Sequence, residues 1–146
     1  MNTFDAKIRV RYGETDKMGI VYYANYLNWF EIGRTEFFRS LGMTYKELEN
    51  NKIMLPVIEA NCKYIWSAEY DDVIIIRTKI DFLKGTRIRF AYDIIRENDN
   101  KLLAQGMTEH PFTTLDKKPV NIKKVLPHVY EMLNKCYSCT IDTGDC

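Results

Sequence analysis

Between residues 22 and 41 the sequence repeats apolar residues at helical spacing. Tyr26, Phe30, Gly33, Phe37 and Leu41 follow one another at steps of four, three, four and four. Leu27, Trp29, Ile32 and Phe38 widen that stripe until few fully polar positions remain. A helix apolar over so much of its girth has to be largely enclosed by the rest of the chain. Gly42 follows as the left-handed residue that stops it. Gly33 costs about 1 kcal/mol of helix propensity relative to Ala, which predicts close approach of another backbone there. Thr44 caps a short second helix to about Asn50, with Glu47 three residues on as the other half of a capping box.

Beyond Pro56 the period changes to two. Residues 57–70, 72–83, 86–97 and 101–116 are expected as long strands, with Cys62, Tyr64 and Trp66 on one face. Lys84-Gly85 and Asn98-Asp99-Asn100 supply turns. Residues 4–12 form an earlier half-buried strand. Residues 122–135 form a last helix, with Pro127 best placed in a first turn. This order predicts an α+β fold, a curved antiparallel sheet wrapped around one long central helix. Tight turns predict that the four later strands form a meander, which the first strand joins elsewhere. One helix cannot cover such a sheet, so the free edges and outer face predict a homodimer or homotetramer.

The 146 residues suit one domain, placed at 1–135. With 21 Lys and Arg against 20 Asp and Glu, no nucleic-acid partner is expected. No run of apolar residues is long enough for an integral membrane segment. The first residues carry Asp5, Lys7, Arg9 and Arg11 and no secretory pattern, so a cytoplasmic location is expected. Cys62 fits a small buried hydrophobe. Cys136, Cys139 and Cys146 stand in a stretch, 136–146, expected to be a flexible tail. Cys136 and Cys139 have ligand spacing, but a second pair is missing, so no metal is expected.

The densest polar cluster beside apolar sequence is residues 12–19, immediately before the long helix. A helix start offers unpaired N–H groups and partial positive charge, which can hold an oxygen as it becomes an oxyanion. An Asp beside it could attack a carbonyl or deprotonate a water. Caps and loop residues are the plainer use of Asp and Thr at such a place.

The run Arg11-Tyr12-Gly13-Glu14-Thr15-Asp16-Lys17-Met18-Gly19-Ile20-Val21-Tyr22-Tyr23-Ala24-Asn25-Tyr26 resembles the signature of the 4-hydroxybenzoyl-CoA thioesterase family. It is most similar to the bacterial Tol–Pal-associated acyl-CoA thioesterase branch. The resemblance covers about residues 4–130 and implies the hotdog fold. It implies hydrolysis of an acyl-CoA substrate to free acid and CoA, with no cofactor. By the same resemblance Asp16 matches the catalytic carboxylate, as nucleophile or general base. Tyr23 matches the position whose backbone N–H polarises the carbonyl, where many members of that branch have His. Gly19 permits the tight approach into the helix, and Asn25 and Tyr26 shape the helix start. Lys84, Thr86 and Arg87 match a turn that contacts the nucleotide or pantetheine end of CoA. An acyl-carrier-protein thioesterase and a noncatalytic acyl-CoA binder are the alternatives. Outside the motif, His110 is expected to be structural. Glu31 and Arg34, three apart on the helix, are expected to satisfy each other or the backbone.

Overall fold

The computed structural model describes residues 3–141. Strand β1 (Thr3–Arg9) leads through a short 3₁₀ turn at Tyr12–Glu14 to helix α1 (Asn25–Ser40). Helix α2 (Tyr45–Asn50) follows, then β2 (Glu59–Tyr64), β3 (Val73–Lys84), β4 (Arg87–Arg96) and β5 (Lys101–Pro111). Helices α3 (Ile122–Val125) and α4 (Pro127–Ile141) close the chain.

The five strands form one antiparallel sheet in the order β1-β3-β4-β5-β2. Period-two patterning shows clearly in β3, where Ile74, Ile76, Thr78 and Ile80 are buried and their neighbours are not. Opposite them on β4 stand Ile94, Tyr92 and Phe90, paired with Ile76, Thr78 and Ile80. This inner face takes α1, whose Trp29, Phe30, Phe37 and Phe38 are fully or nearly fully buried. The Phe30 ring stacks on Tyr92 at 4.4 Å, and Phe37 and Phe38 meet Phe90 edge-on. The helix packs on β1, β2, β3 and β4, as an apolar helix in a curved sheet should.

Three expectations are corrected. First, the four later strands are not a meander. Only β3, β4 and β5 are, and β2 pairs with β5 at the far edge. The stretch 65–72 is not strand: it crosses from that edge to the start of β3. Ile65 and Trp66 donate their N–H groups to the Leu103 carbonyl, and Asp71 turns the chain at a φ of 70°. Second, Gly33 admits side chains rather than backbone. A Cβ there would stand 2.5 Å from Thr78 Oγ1 and 2.7 Å from Ile76 Cγ2. Third, residues 136–141 are not tail. They continue α4, and Cys136 is buried, because Val129, Leu133 and Cys136 recur at helical spacing on the face turned to the core. Residues 142–146 lie outside the described residues.

Helix α1 is enclosed on one side only. Leu27 and Ile32 remain exposed, as do Asn28 and Glu31. Its end follows the expected form, with Gly42 at a φ of 81°. Thr44 accepts the Glu47 N–H as the cap of α2. Pro127 opens α4, where its missing N–H costs nothing.

Candidate active site

The loop from Val10 to Ala24 is built by a few hydrogen bonds with distinct tasks. Val10 is tied to the crossover, its N–H on the Asp72 carbonyl at 2.9 Å. Thr15 and Val21 bridge, and between them the chain reverses over residues 16–19. The Asp16 carbonyl accepts the Gly19 N–H, and Asp16 Oδ1 accepts the Met18 N–H at 2.8 Å, the pattern of an Asx turn. Gly19 closes the turn at a φ of 81°, where a side chain would be strained. Nothing lies within 4 Å of a Cβ placed there. Its task within this chain is therefore conformational, closing the turn that leads to the helix. Asp16 is partly exposed, with one carboxylate oxygen held by the turn.

Glu14 pins this loop to the helix, a role the sequence reading did not assign. Its Oε2 accepts the indole N–H of fully buried Trp29 at 3.0 Å, and its Oε1 accepts the Arg11 N–H at 2.8 Å. Its carbonyl takes the Tyr22 N–H and the Asn25 side-chain amide. Asn25 and Tyr26 do shape the helix start: Tyr26 is buried, and its hydroxyl accepts the Ala68 N–H at 3.2 Å.

At the head of α1 the Tyr22 carbonyl accepts the Asn25 N–H at 2.9 Å. That fixes the planar Tyr22–Tyr23 peptide, so its N–H points the opposite way, out of the helix start. Among the described residues the Tyr23 and Ala24 N–H groups have no acceptor. Tyr64 donates its hydroxyl to the Tyr23 carbonyl at 2.8 Å and so holds the next peptide plane. Burial is the largest cause raising the Tyr64 phenol above its ordinary pKa, which keeps it a donor. Beside these groups lies a cavity of about 280 Å³, lined among others by Tyr23, Tyr26, Tyr64 and Trp66. Tyr64 and Trp66 come from the end of β2 and the crossover, segments that only the observed strand order brings to the helix start.

The turn residues sit elsewhere. Lys84, Thr86 and Arg87 join β3 to β4, at the opposite end of β3 from the Asp16 loop. The eleven steps from Val73 to Lys84 span about 36 Å at roughly 3.3 Å per residue. Asp16, Gly19 and Tyr23 therefore share one loop, and Lys84, Thr86 and Arg87 stand at the other end of β3 from it. All three turn residues are exposed, and Arg87 Nη1 donates to Glu109 Oε2 at 3.1 Å. Asn121 and Ile122 pack behind Gly85, with Lys123 and Lys124 next in sequence.

His110 is structural, as expected. It is fully buried, its Nδ1 on the Leu55 carbonyl and its Nε2 on Thr108 Oγ1 at 2.8 Å. Burial, with the nearby Arg34 charge, holds its pKa down to about 4. Among the described residues no three His, Cys, Asp or Glu side chains converge as a metal site requires. Among them, too, no helix is long and apolar enough to cross a membrane.

Residues 10–133 match the model of the thioesterase-like superfamily. The acyl-CoA thioesterase YbgC of Haemophilus influenzae is 31% identical over 134 residues, 90% of this chain and 97% of that protein. YneP of Bacillus subtilis, provisionally named an acyl-CoA thioesterase, is 34% identical over 130 residues, 87% of this chain and 92% of its own. The crystal structure of DHNA-CoA thioesterase from Staphylococcus aureus superposes with a TM-score of 0.94 at 29% identity, covering 100% of this chain and 98% of that one.

Proposed function

The chain belongs to the thioesterase-like superfamily, and from that premise we propose that it hydrolyses an acyl-CoA thioester to a free acid and CoA. One observation carries the reading: an unpaired N–H at the head of α1, beside an aromatic-lined cavity, on the same loop as the Asp16 carboxylate. The thioester carbonyl accepts the Tyr23 N–H, which gains strength as the oxygen becomes an oxyanion. The helix dipole acts in the same direction. Asp16 attacks the carbonyl carbon and expels the CoA thiolate, or takes a proton from the water that does so. In the covalent route water then hydrolyses the acyl–Asp16 anhydride to the free acid and the Asp16 carboxylate, so rapid-quench mass spectrometry during one turnover separates the two: only that route adds the mass of the acyl group to the chain.

The Lys84, Thr86 and Arg87 turn meets the nucleotide end of CoA. Because the turn lies at the far end of its own sheet, a second copy supplies it. The exposed β2 edge and the uncovered Leu27 and Ile32 face of α1 are where copies meet. A two-fold axis perpendicular to the strands, as antiparallel pairing of two β2 edges requires, lays the far end of one sheet beside the near end of the other.

The test is release of free thiol from a panel of acyl-CoA and acyl-carrier-protein substrates. Turnover of acyl-CoA supports the reading. Turnover confined to acyl-carrier protein transfers the activity to that substrate class, and binding without turnover makes the protein an acyl-CoA binder.

A further inference from the structure

A separate cavity of about 390 Å³ lies against the middle of α1, between α2 and the segment that follows it. Its lining includes Glu31, Arg34, Tyr45, Glu49 and Leu55, none of which lines the cavity at the helix start. Arg34 is the group that needs an explanation. The Glu31–Arg34 pair expected from their spacing does not form, and Glu36 is taken by Arg39. Among the described residues Arg34 has no carboxylate partner. Burial works against its charge, while hydrogen bonding to the Tyr92 phenol and the charge of Glu31 favour it, and the net direction is upward. A guanidinium has five donors, no acceptor and a permanent charge.

The groups behind it do not use up those donors. Tyr92 shares its hydroxyl with Thr108 Oγ1 at 2.6 Å, and Thr108 meets neutral His110. The Tyr45 hydroxyl is buried beside the Arg34 guanidinium and has no hydrogen-bond partner in good geometry among the described residues. Burial pushes its pKa up, so it stays a neutral donor. An unmet buried hydroxyl is costly, and here it stands beside a cation that has phenols but no carboxylate as partners, at the wall of a cavity.

We propose that this cavity binds a carboxylate, which takes the charge of Arg34 and a hydrogen bond from the Tyr45 hydroxyl. A planar carboxylate matches the guanidinium fork. Glu31 and Glu49 also line the cavity, both exposed to solvent. Water screens these two exposed acids more than it screens Arg34 in the wall, and what remains of their charge opposes a doubly charged phosphate more than a carboxylate. The carboxylate arrives either as the far end of an acyl chain, which rests on the thioesterase reading, or as a free acid, which does not.

The first arm titrates benzoate into the protein by calorimetry, with benzamide as a neutral control of the same shape. Benzoate is expected to bind at least tenfold tighter than benzamide. Arg34→Gln is expected to lose that binding at least tenfold. Tyr45→Phe, which removes one oxygen and keeps the packing ring, should lose it severalfold and guards against a misfolded Arg34 variant. The second arm compares glutaryl-CoA with pentanoyl-CoA, acyl chains of equal length with and without a terminal carboxylate. If the acyl end is the ligand, the glutaryl-to-pentanoyl ratio of kcat/KM falls at least tenfold in Arg34→Gln. Benzoate binding that responds to the variants while this ratio holds identifies a free acid. If no thioester is hydrolysed, the benzoate arm still decides. Benzoate that binds no better than benzamide or is indifferent to both variants, together with an unchanged ratio, overturns the site.

Discussion

Two side chains with no part in the chemistry hold structure at separate places, one at the Val10–Ala24 loop and the other between Leu55 and Thr108. Glu14 is one. Replacing it with Ala removes the one acceptor that the Trp29 indole N–H has among the described residues, in a ring that is fully buried. An unmet buried donor costs about 1–3 kcal/mol. Urea denaturation of Glu14→Ala should show a loss of that size, with activity falling as the turn loosens. His110 is the other. Its folded pKa of about 4 lies below the ordinary value of 6.5, because burial and Arg34 oppose its charge. The unfolded chain therefore binds a proton that the folded chain refuses between those two values. Stability from this group is full above pH 6.5 and is lost progressively as pH falls toward 4. The whole shift amounts to roughly 3 kcal/mol, at 1.36 kcal/mol per unit. Urea midpoints measured across that window should fall for the wild type and fall less for His110→Asn. Equal slopes would remove His110 as the cause.

At the scale of elements, the contact between α1 and β3 is the tightest test of packing. Gly33→Ala gains helix propensity, about 1 kcal/mol, yet drives a methyl into Thr78 and Ile76. Overpacking of this kind costs about 1–3 kcal/mol, so the variant should be less stable. The Thr78 hydroxyl is buried without a hydrogen bond, so adding Thr78→Ala should return part of the loss. A stable single variant would mean the helix is free to lift off the sheet. These elements were legible because each declares itself locally: the α1 stripe, the β3 and β4 alternation, Gly42, Thr44 and Pro127. Strand order was not, because nothing near Tyr64 says whether the chain turns tightly or crosses over. Alternation through Trp66 looks the same in either case. The site divides in the same way. Asp16 and Tyr23 were visible through a contiguous motif. Tyr64, Trp66 and Tyr45 reach their cavities only through tertiary contact, and the missing Glu31–Arg34 pair depends on side-chain direction rather than spacing.

For the whole molecule, the proposed use of both the Asp16 loop and the Lys84–Arg87 turn in one site requires a working unit larger than one chain. Light scattering at micromolar concentration should give at least twice the 17.3 kDa of the monomer. Mixing two inactive proteins, Asp16→Asn and Arg87→Ala, should restore activity. A mixed dimer has one site with both substitutions and one with neither. If each site were built from one chain, mixing would restore nothing. Beneath all of this lies the claim that Asp16 is the group that cleaves the thioester. The direct measurement is thiol release from a good acyl-CoA substrate by folded Asp16→Asn, compared with wild type over a range of substrate concentrations. The substitution preserves shape and an oxygen for the Met18 N–H while removing the charge. We expect kcat to fall about 10²–10⁴-fold, the scale for a positioned acid–base group, with KM little changed. Turnover close to wild type would contradict the account.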